Sequence, residues 1–283
     1  SVPVPRGVDR AVTVDEAAGF FETVVADGAA GVMIKAIAGG GGRGMRPVTS
    51  ATEIASAFDR CAMEARLAFG NADLYVEELL PACRHVEVQI IGDGVDYATL
   101  GDRDCTVQRS RQKFIEIAPA PGLSDDLRGH LAAASLAMAD AAKLHGVATF
   151  EFLLYETPAG ETRFAFVEAN PRIQVEHTVT EAVLGIDLVR MQLRLAGGAS
   201  LAEAGIEHRT APQPRGTAIQ LRINAERLVA DGSVRPGAGV LRTFDLAGGL
   251  GIRWDTHGFA GGTVSPRFDP LLAKLIVHAP SGT

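Results

Sequence analysis

Cysteine is scarce in this chain. Three residues, Cys61, Cys83 and Cys105, are all it has in 283. An odd number cannot pair completely, no Cys-x-x-Cys occurs, and no Cys/His group has zinc-like spacing. Those absences argue against a disulfide scaffold and a structural zinc module. They read as reduced thiols, which fits a cytoplasmic location. Long hydrophobic runs are missing too. None reaches the roughly 20 residues that a membrane span needs, and no signal peptide is visible. Nor is there a long basic run, and the net charge is -7. Nucleic acid binding through a phosphate-tracking patch is therefore not the expected role. Repeats and low-complexity tracts are absent. The chain opens on Ser1 rather than Met, which suggests a piece of something longer.

What is present is an ordinary globular balance, 47% apolar and 22% charged residues. The length suits one large domain or two smaller ones. Residues 1–7 are rich in Pro and Gly and read as a linker. Thr13-Val14-Asp15-Glu16 has capping-box spacing and predicts a helix to about residue 26. A strand follows over 31–37, then a glycine-rich turn and a second short strand near 45–48. Ser50-Ala51-Thr52-Glu53 repeats the capping spacing and predicts a helix to about residue 69, followed by a strand over 74–78. From residue 81 the pattern becomes one of longer antiparallel strands, at 85–91, 97–102 and 113–119. Ser124 caps an expected helix to about 144. Strands over 148–155 and 163–170 form a hairpin, 185–196 is expected to be helical, and 216–224 is a strand. Short strands and turns are expected from residue 237. The fold class is therefore α+β: a small α/β unit followed by a larger one, with a boundary near residue 80.

Four segments carry chemistry. At 35–44 a strand containing Lys35 runs into Gly39-Gly40-Gly41-Gly42-Arg43-Gly44. Glycines let backbone N–H groups converge on phosphate oxygens, and lysine supplies a point charge. No GK[ST] follows, so this is not a Walker A loop. The bland reading is a flexible glycine hairpin. Next come Glu151 with Glu168 and Asn170, on the two strands of one hairpin. Alternation predicts both carboxylates on one face, where magnesium bound to phosphates is the natural cation; an exposed polar sheet face is the alternative. The third is Asn170-Pro171-Arg172-Ile173-Gln174-Val175-Glu176-His177. Arg172 and Gln174 are suited to a small planar oxyanion, and Glu176 to taking a proton. A solvated turn with chance charges is the plain alternative. The fourth is 102–121, where Gln108, Arg109, Arg111, Gln112 and Lys113 crowd together in an acidic protein, which predicts an anionic ligand or else a surface salt-bridge strip.

Taken in order, these segments closely resemble biotin carboxylases of the ATP-grasp superfamily. The likeness also includes Arg84-His85-Val86-Glu87-Val88-Gln89, Arg103-Asp104-Cys105, Ala118-Pro119-Ala120-Pro121-Gly122, Arg222-Ile223-Asn224-Ala225-Glu226, Gly251-Ile252-Arg253-Trp254-Asp255 and Leu271-Leu272-Ala273-Lys274-Leu275-Ile276. It covers essentially the whole chain. The resemblance implies an ATP-grasp fold with a lid subdomain at 7–79 after a linker at 1–6. Residues 80–283 would be the large subdomain, continuing into a truncated C-terminal domain. It implies ATP- and bicarbonate-dependent carboxylation of biotin through carboxyphosphate, as the first half-reaction of an acyl-CoA carboxylase. ATP would be held by Lys35, Gly40, Gly41, Gly42, Glu77, His85, Gln108, Arg111 and Leu153. Magnesium or manganese would be held by Glu151 and Glu168 with Asn170, and bicarbonate by Lys113, Arg172, Gln174 and Val175. Glu176 would act as base, Arg253 would stabilise the biotin enolate, and Gln112 would lie near biotin. The implied partners are a biotin carboxyl carrier protein or domain, a carboxyltransferase, and a second copy of the chain.

Four departures stand out against the family pattern. Arg111 replaces a usual His or Asn near the ribose. Glu78 replaces a common Lys, Ile117 a common Glu, and Gln220 a Glu. The family's N-terminal domain has no match here, so a longer parent carboxylase is expected, and weak or no turnover from this piece alone. Two other readings compete: an ATP-grasp ligase joining a carboxylate to an amine, and a non-catalytic nucleotide-binding or assembly module.

Overall fold

Thr13 forms the reciprocal cap that its spacing predicts. Its hydroxyl accepts from the Glu16 N–H at 3.3 Å, and Glu16 accepts from the Thr13 N–H at 2.7 Å. The Arg10 guanidinium adds an ion pair and holds the Glu16 carboxyl near a pKa of about 2. Helix α1 (Val14–Ala26) follows from this start. The computed structural model describes residues 2–40, 42–109, 112–157, 159–206, 213–230 and 233–280. Gly41 and Arg111, two of the residues expected at the nucleotide, lie outside the described residues.

The described chain forms two compact units. The first comprises described residues of 1–85, 109–112 and 151–168. Strands β1 (Val32–Gly40) and β2 (Arg43–Val48), helix α2 (Ile54–Phe69) and strand β3 (Leu74–Glu78) come next in sequence. The strands pair antiparallel in the order β2-β1-β3. Phe21 and Val24 of α1 and Ala57, Cys61 and Ala65 of α2 pack against Val32, Ile34 and Val76. The second capping box does not form. The Ser50 hydroxyl bonds the Thr52 hydroxyl at 2.9 Å, and its carbonyl takes the Glu53 N–H at 3.0 Å. That tighter i→i+3 bond makes residues Ala51–Glu53 a single 3-10 turn, and α2 starts only at Ile54.

The remaining elements follow in chain order: β4 (Arg84–Asp93), β5 (Tyr97–Arg109), β6 (Gln112–Ala118), α3 (Asp125–Ala141), β7 (His145–Glu156), β8 (Thr162–Asn170), α4 (His177–Leu184), α5 (Leu188–Ala196), α6 (Leu201–Ala204), β9 (Thr217–Asn224), β10 (Glu226–Leu228), β11 (Val234–Pro236), β12 (Gly239–Val240), β13 (Ile252–Thr256), β14 (Thr263–Val264) and β15 (Leu271–Ala279). Eight of these strands make one sheet in the order β13-β15-β9-β6-β5-β4-β7-β8, while β10-β11 and β12-β14 pair separately. The second unit holds described residues of 86–108, 113–150 and 169–283. Its core joins Ile91, Leu100 and Val147 of the sheet to Val179, Leu188 and Leu195 of α4 and α5.

Two local expectations need correction. The segment 185–196 is not one helix. Gly185 is the left-handed cap that ends α4, φ 69°, with its N–H on the Glu181 carbonyl, and α5 starts three residues later on the Asp187 cap. A helix therefore begins directly after Glu176, where the sequence read as a turn. The C-terminal stretch also holds more than short strands, since β15 runs nine residues.

Candidate active site

The first cluster grows from β1. Lys35 lies opposite Met45 on β2 and Tyr75 on β3. Its ammonium sits 3.0 Å from the Glu77 carboxylate and 5.4 Å from the centre of the Tyr75 ring. Burial works against the lysine charge, but Glu77 and Tyr75 outweigh it and keep its pKa above the ordinary value. Lys35, Gly39, Gly40, Gly42, Gly44, Tyr75 and Glu168 line a concavity of about 190 Å³. Gly44 is required by geometry: it has φ +67°, and a Cβ there would stand 2.9 Å from the Ala36 Cβ. Of the predicted phosphate-binding set, Lys35, Gly40 and Gly42 thus share one cavity with a predicted metal ligand, Glu168.

Glu151 is buried, 4% exposed, with its carboxylate 2.5 Å from His85 Nε2. β7 is covered on both faces through this stretch, so Glu151 is not part of a solvent-facing polar face. Phe152 packs edge-on against Phe164 and Phe166, at 5.7 and 5.9 Å between ring centres, and binds the two strands of the hairpin together. Leu153 is half-buried beside it, and Gln112 is exposed. Glu78, in place of the usual Lys, takes the Arg6 guanidinium at 2.7 Å.

The second cluster lies within the large sheet and is an extended polar lattice. Glu87 on β4 stands directly opposite Arg103 on β5. Arg103 is fully buried. It donates to Glu87 at 2.6 Å, to Gln89 and Thr180 at 2.8 Å, and to Thr149 at 3.2 Å. Lys113 on β6 bonds the other oxygen of Glu87 and reaches Glu176 at 2.8 Å. Arg222 on β9 donates to the second oxygen of Glu176 at 3.2 Å and to Glu116 at 2.6 Å. Both oxygens of Glu176 are therefore held by cations. Burial raises the pKa of Glu116, with Arg222 opposing and Glu176 adding to the rise. Gln220, cross-strand from Glu116, donates its amide to that carboxylate at 2.9 Å and accepts from Thr178. A glutamate at 220 would set two buried carboxylates against each other, so the amide is the better neighbour here. Ile117 stands across from Ile219 in the same ladder.

Around this lattice, Gln174 is buried and Val175 half-buried. Arg172 is exposed and folds back on its own turn. Its only bonds go to the Ile173 carbonyl at 3.2 Å and the Asn170 side-chain oxygen at 3.3 Å, both neutral, so its charge has no carboxylate partner among the described residues. Gln108 donates to the Cys105 carbonyl at 3.0 Å. Arg253 on β13 forks onto Asp255 at 2.8 and 3.0 Å and reaches Glu181 of α4 at 2.8 Å.

Sequence reasoning assigned no role to Arg103, Glu87, Glu116, Arg222, Glu181, Asp255 or Lys274. A signal did exist for some. Glu87 and Gln89 alternate with Val86 and Val88 in the middle of an otherwise apolar strand, and charges inside such strands are paired when buried.

This fold is shared with solved proteins. The biotin carboxylase domain of Hydrogenobacter thermophilus 2-oxoglutarate carboxylase, determined as a dimer with MgADP, ADP and bicarbonate, superposes with TM-score 0.88 at 34% identity, covering 99% of this chain and 59% of that one. Residues 1–204 match the family described as carbamoyl-phosphate synthase L chain, ATP binding domain, and residues 220–283 match the biotin carboxylase C-terminal domain. The chain belongs to the biotin carboxylase family of ATP-grasp proteins. Biotin carboxylase from Nostoc is 43% identical over 252 residues, which is 88% of this chain and 54% of that protein. Pyruvate carboxylase from Aspergillus niger is 42% identical over 245 residues, 86% of this chain and 20% of that protein. The chain thus spans about half the length of the first and a fifth of the second. Among the described residues, no helix is long and apolar enough to cross a membrane.

Proposed function

We propose that this chain carries the ATP- and bicarbonate-dependent carboxylation of biotin, the first half-reaction of a biotin-dependent carboxylase. The observation that carries the reading is Glu176. It is a buried carboxylate held by Lys113 and Arg222, and it lies four residues from Arg172, whose charge lacks a carboxylate partner among the described residues. A small oxyanion suits the neighbourhood of that spare guanidinium, whose fork matches two oxygens.

In this reading Lys35, Gly40, Gly42, Glu77, His85, Gln108 and Leu153 hold ATP. Gly41 and Arg111 are assigned with them by sequence alone. Glu151 and Glu168, with Asn170 two residues on along β8, offer hard oxygen donors of the kind magnesium or manganese takes. When bound, the ion supplies neutralising charge to phosphate oxygens. Arg172, Gln174, Val175 and Lys113 hold bicarbonate. Glu176 accepts the bicarbonate proton, and the freed oxygen attacks the γ-phosphate as ADP leaves. Lys35 and Lys113 spread the transferring charge. Carboxyphosphate breaks to carbon dioxide and phosphate, and that phosphate takes the ureido proton of biotin. Arg253 stabilises the resulting oxyanion, and nitrogen attacks carbon dioxide; Gln112 is assigned to biotin by the family resemblance alone. A carrier protein or domain bearing biotin, a carboxyltransferase and a second copy of this chain are the proposed partners.

The test is ADP release by the full-length natural protein with ATP, magnesium, bicarbonate and free biotin. Bicarbonate-dependent release stimulated by biotin is expected. Glu176→Gln and Arg253→Ala should each lower it by roughly 10²–10³-fold. Amine-dependent release would instead favour a carboxylate–amine ligase. Nucleotide binding without turnover would favour an assembly module.

A further inference from the structure

Lys274 has no part in the reaction as proposed, yet it is buried beside two of its residues. It sits on β15, directly across from Asp255 on β13 and from Arg222 on β9. Its ammonium donates to the Val175 carbonyl at 3.0 Å and lies 3.3 Å from the Asp255 carboxylate. The oxygen of Asp255 that meets Lys274 is the one that accepts from Arg253 Nη2. Arg253 continues the chain to Glu181. The other oxygen of Glu181 accepts the Leu188 N–H at 2.9 Å and so fixes the start of α5. A continuous run of polar contacts therefore links the Val175 backbone, Lys274, Asp255, Arg253 and Glu181.

Resting on the biotin carboxylase reading above, we propose that Lys274 is a positioning residue that couples the bicarbonate turn to the biotin-side arginine. It does so by sharing Asp255 with Arg253 while holding the Val175 carbonyl. The geometry supports two separate effects. First, the Val175 carbonyl is aimed by a donor from the sheet, which orients the backbone between Gln174 and Glu176. Second, the Asp255 charge is divided between two cations. Three of the five N–H groups of Arg253 are used, by Asp255 and Glu181, which leaves one on each terminal nitrogen for a substrate oxyanion. With Lys274 neutral, the whole charge of Asp255 falls on Arg253 and competes with that oxyanion. Burial pulls the pKa of Lys274 below the ordinary lysine value, with Asp255 opposing.

Lys274→Met keeps the stem and removes the charge. In the full-length protein it should weaken bicarbonate binding about tenfold by calorimetry without nucleotide, and lower biotin-stimulated ADP release about tenfold, each the scale of one charge-assisted hydrogen bond. Lys274→Arg should restore most of both. In an Asp255→Asn background the effect of Lys274→Met on biotin stimulation should fall below twofold, because the shared charge is gone, while its effect on bicarbonate persists. Wild-type values for Lys274→Met, or effects that simply multiply with those of Asp255→Asn, overturn the coupling. If Lys274→Met does not fold, Lys274→Gln takes its place in the same cycle. A wild-type protein that releases no ADP in response to bicarbonate overturns the functional reading itself, and the coupling with it.

Discussion

The glycine-bounded cavity and the buried lattice place their charges in opposite ways. In the first, Lys35 has one carboxylate partner and an aromatic ring, and part of the surrounding wall is glycine backbone, with Ile37, Arg43, Met45 and Val167 among the other lining residues. In the second, Arg103, Lys113 and Arg222 interlock with Glu87, Glu116 and Glu176 on four neighbouring strands and a helix start. A cradle of glycines can adjust to a flexible polyphosphate. A lattice in which most groups have two or more partners is set before a ligand arrives, as electrostatic preorganisation requires. The same difference assigns stability to one region and adaptability to the other.

That contrast can be broken or sharpened by substitutions at five positions, from the largest expected effect down. Arg103→Met removes bonds to Glu87, Gln89, Thr149 and Thr180 at once and leaves a buried carboxylate short of its partner. It should destabilise the protein by about 3–5 kcal/mol in denaturant unfolding. Lys35→Met breaks a less enclosed pair and should cost only about 1–2 kcal/mol. Equal losses would erase the distinction. In the cavity, Gly44→Ala forces a Cβ into a left-handed backbone and against Ala36. It should cost about 1–2 kcal/mol and weaken ATP binding by calorimetry, whereas Gly40→Ala, with open space at its Cβ, should leave stability near wild type. The smallest effect is one of pH. Burial, followed by the Lys274 charge, pulls His177 below its ordinary value, with Arg103 adding to the drop and Glu181 and the Gln174 carbonyl opposing it. The folded state thus binds fewer protons than the unfolded one at this residue. Its contribution is present above the unfolded histidine value of about 6.5 and is lost as pH falls toward the lower folded value. Thermal unfolding between pH 8 and 5 should fall less steeply for His177→Gln than for wild type. Parallel curves would remove His177 from the account.

Local signals were readable where the partners are close in sequence. The Thr13 cap closes on Glu16, three residues away, and β1 and β2 pair on either side of the glycine run after Lys35, with Gly40 opposite Arg43. The same spacing at Ser50 misled, because a rival hydroxyl two residues on captured the cap. Helix α4 was hidden because Glu176 occupies its cap position yet makes no capping bond, its side chain serving the lattice instead. The candidate site divides in the same manner. Lys35, Lys113, Glu151, Glu168 and Glu176 could be singled out by residue type and neighbours. Arg103 and Arg222 could not, because their partners lie on other strands, up to 106 residues away for Arg222 with Glu116. Nothing local announces such a pairing.

The even count of charges in the lattice has one more effect. Among the described residues, the three guanidinium or ammonium groups of the lattice face its three carboxylates, so these six charges balance one another. An arriving anion has no surplus cation there to claim, except by displacing a carboxylate already seated. Arg172, whose described bonds go only to neutral groups, stands outside that balanced set. In the proposed reaction, the reach of that exposed side chain would then help to set how long a small anion is retained.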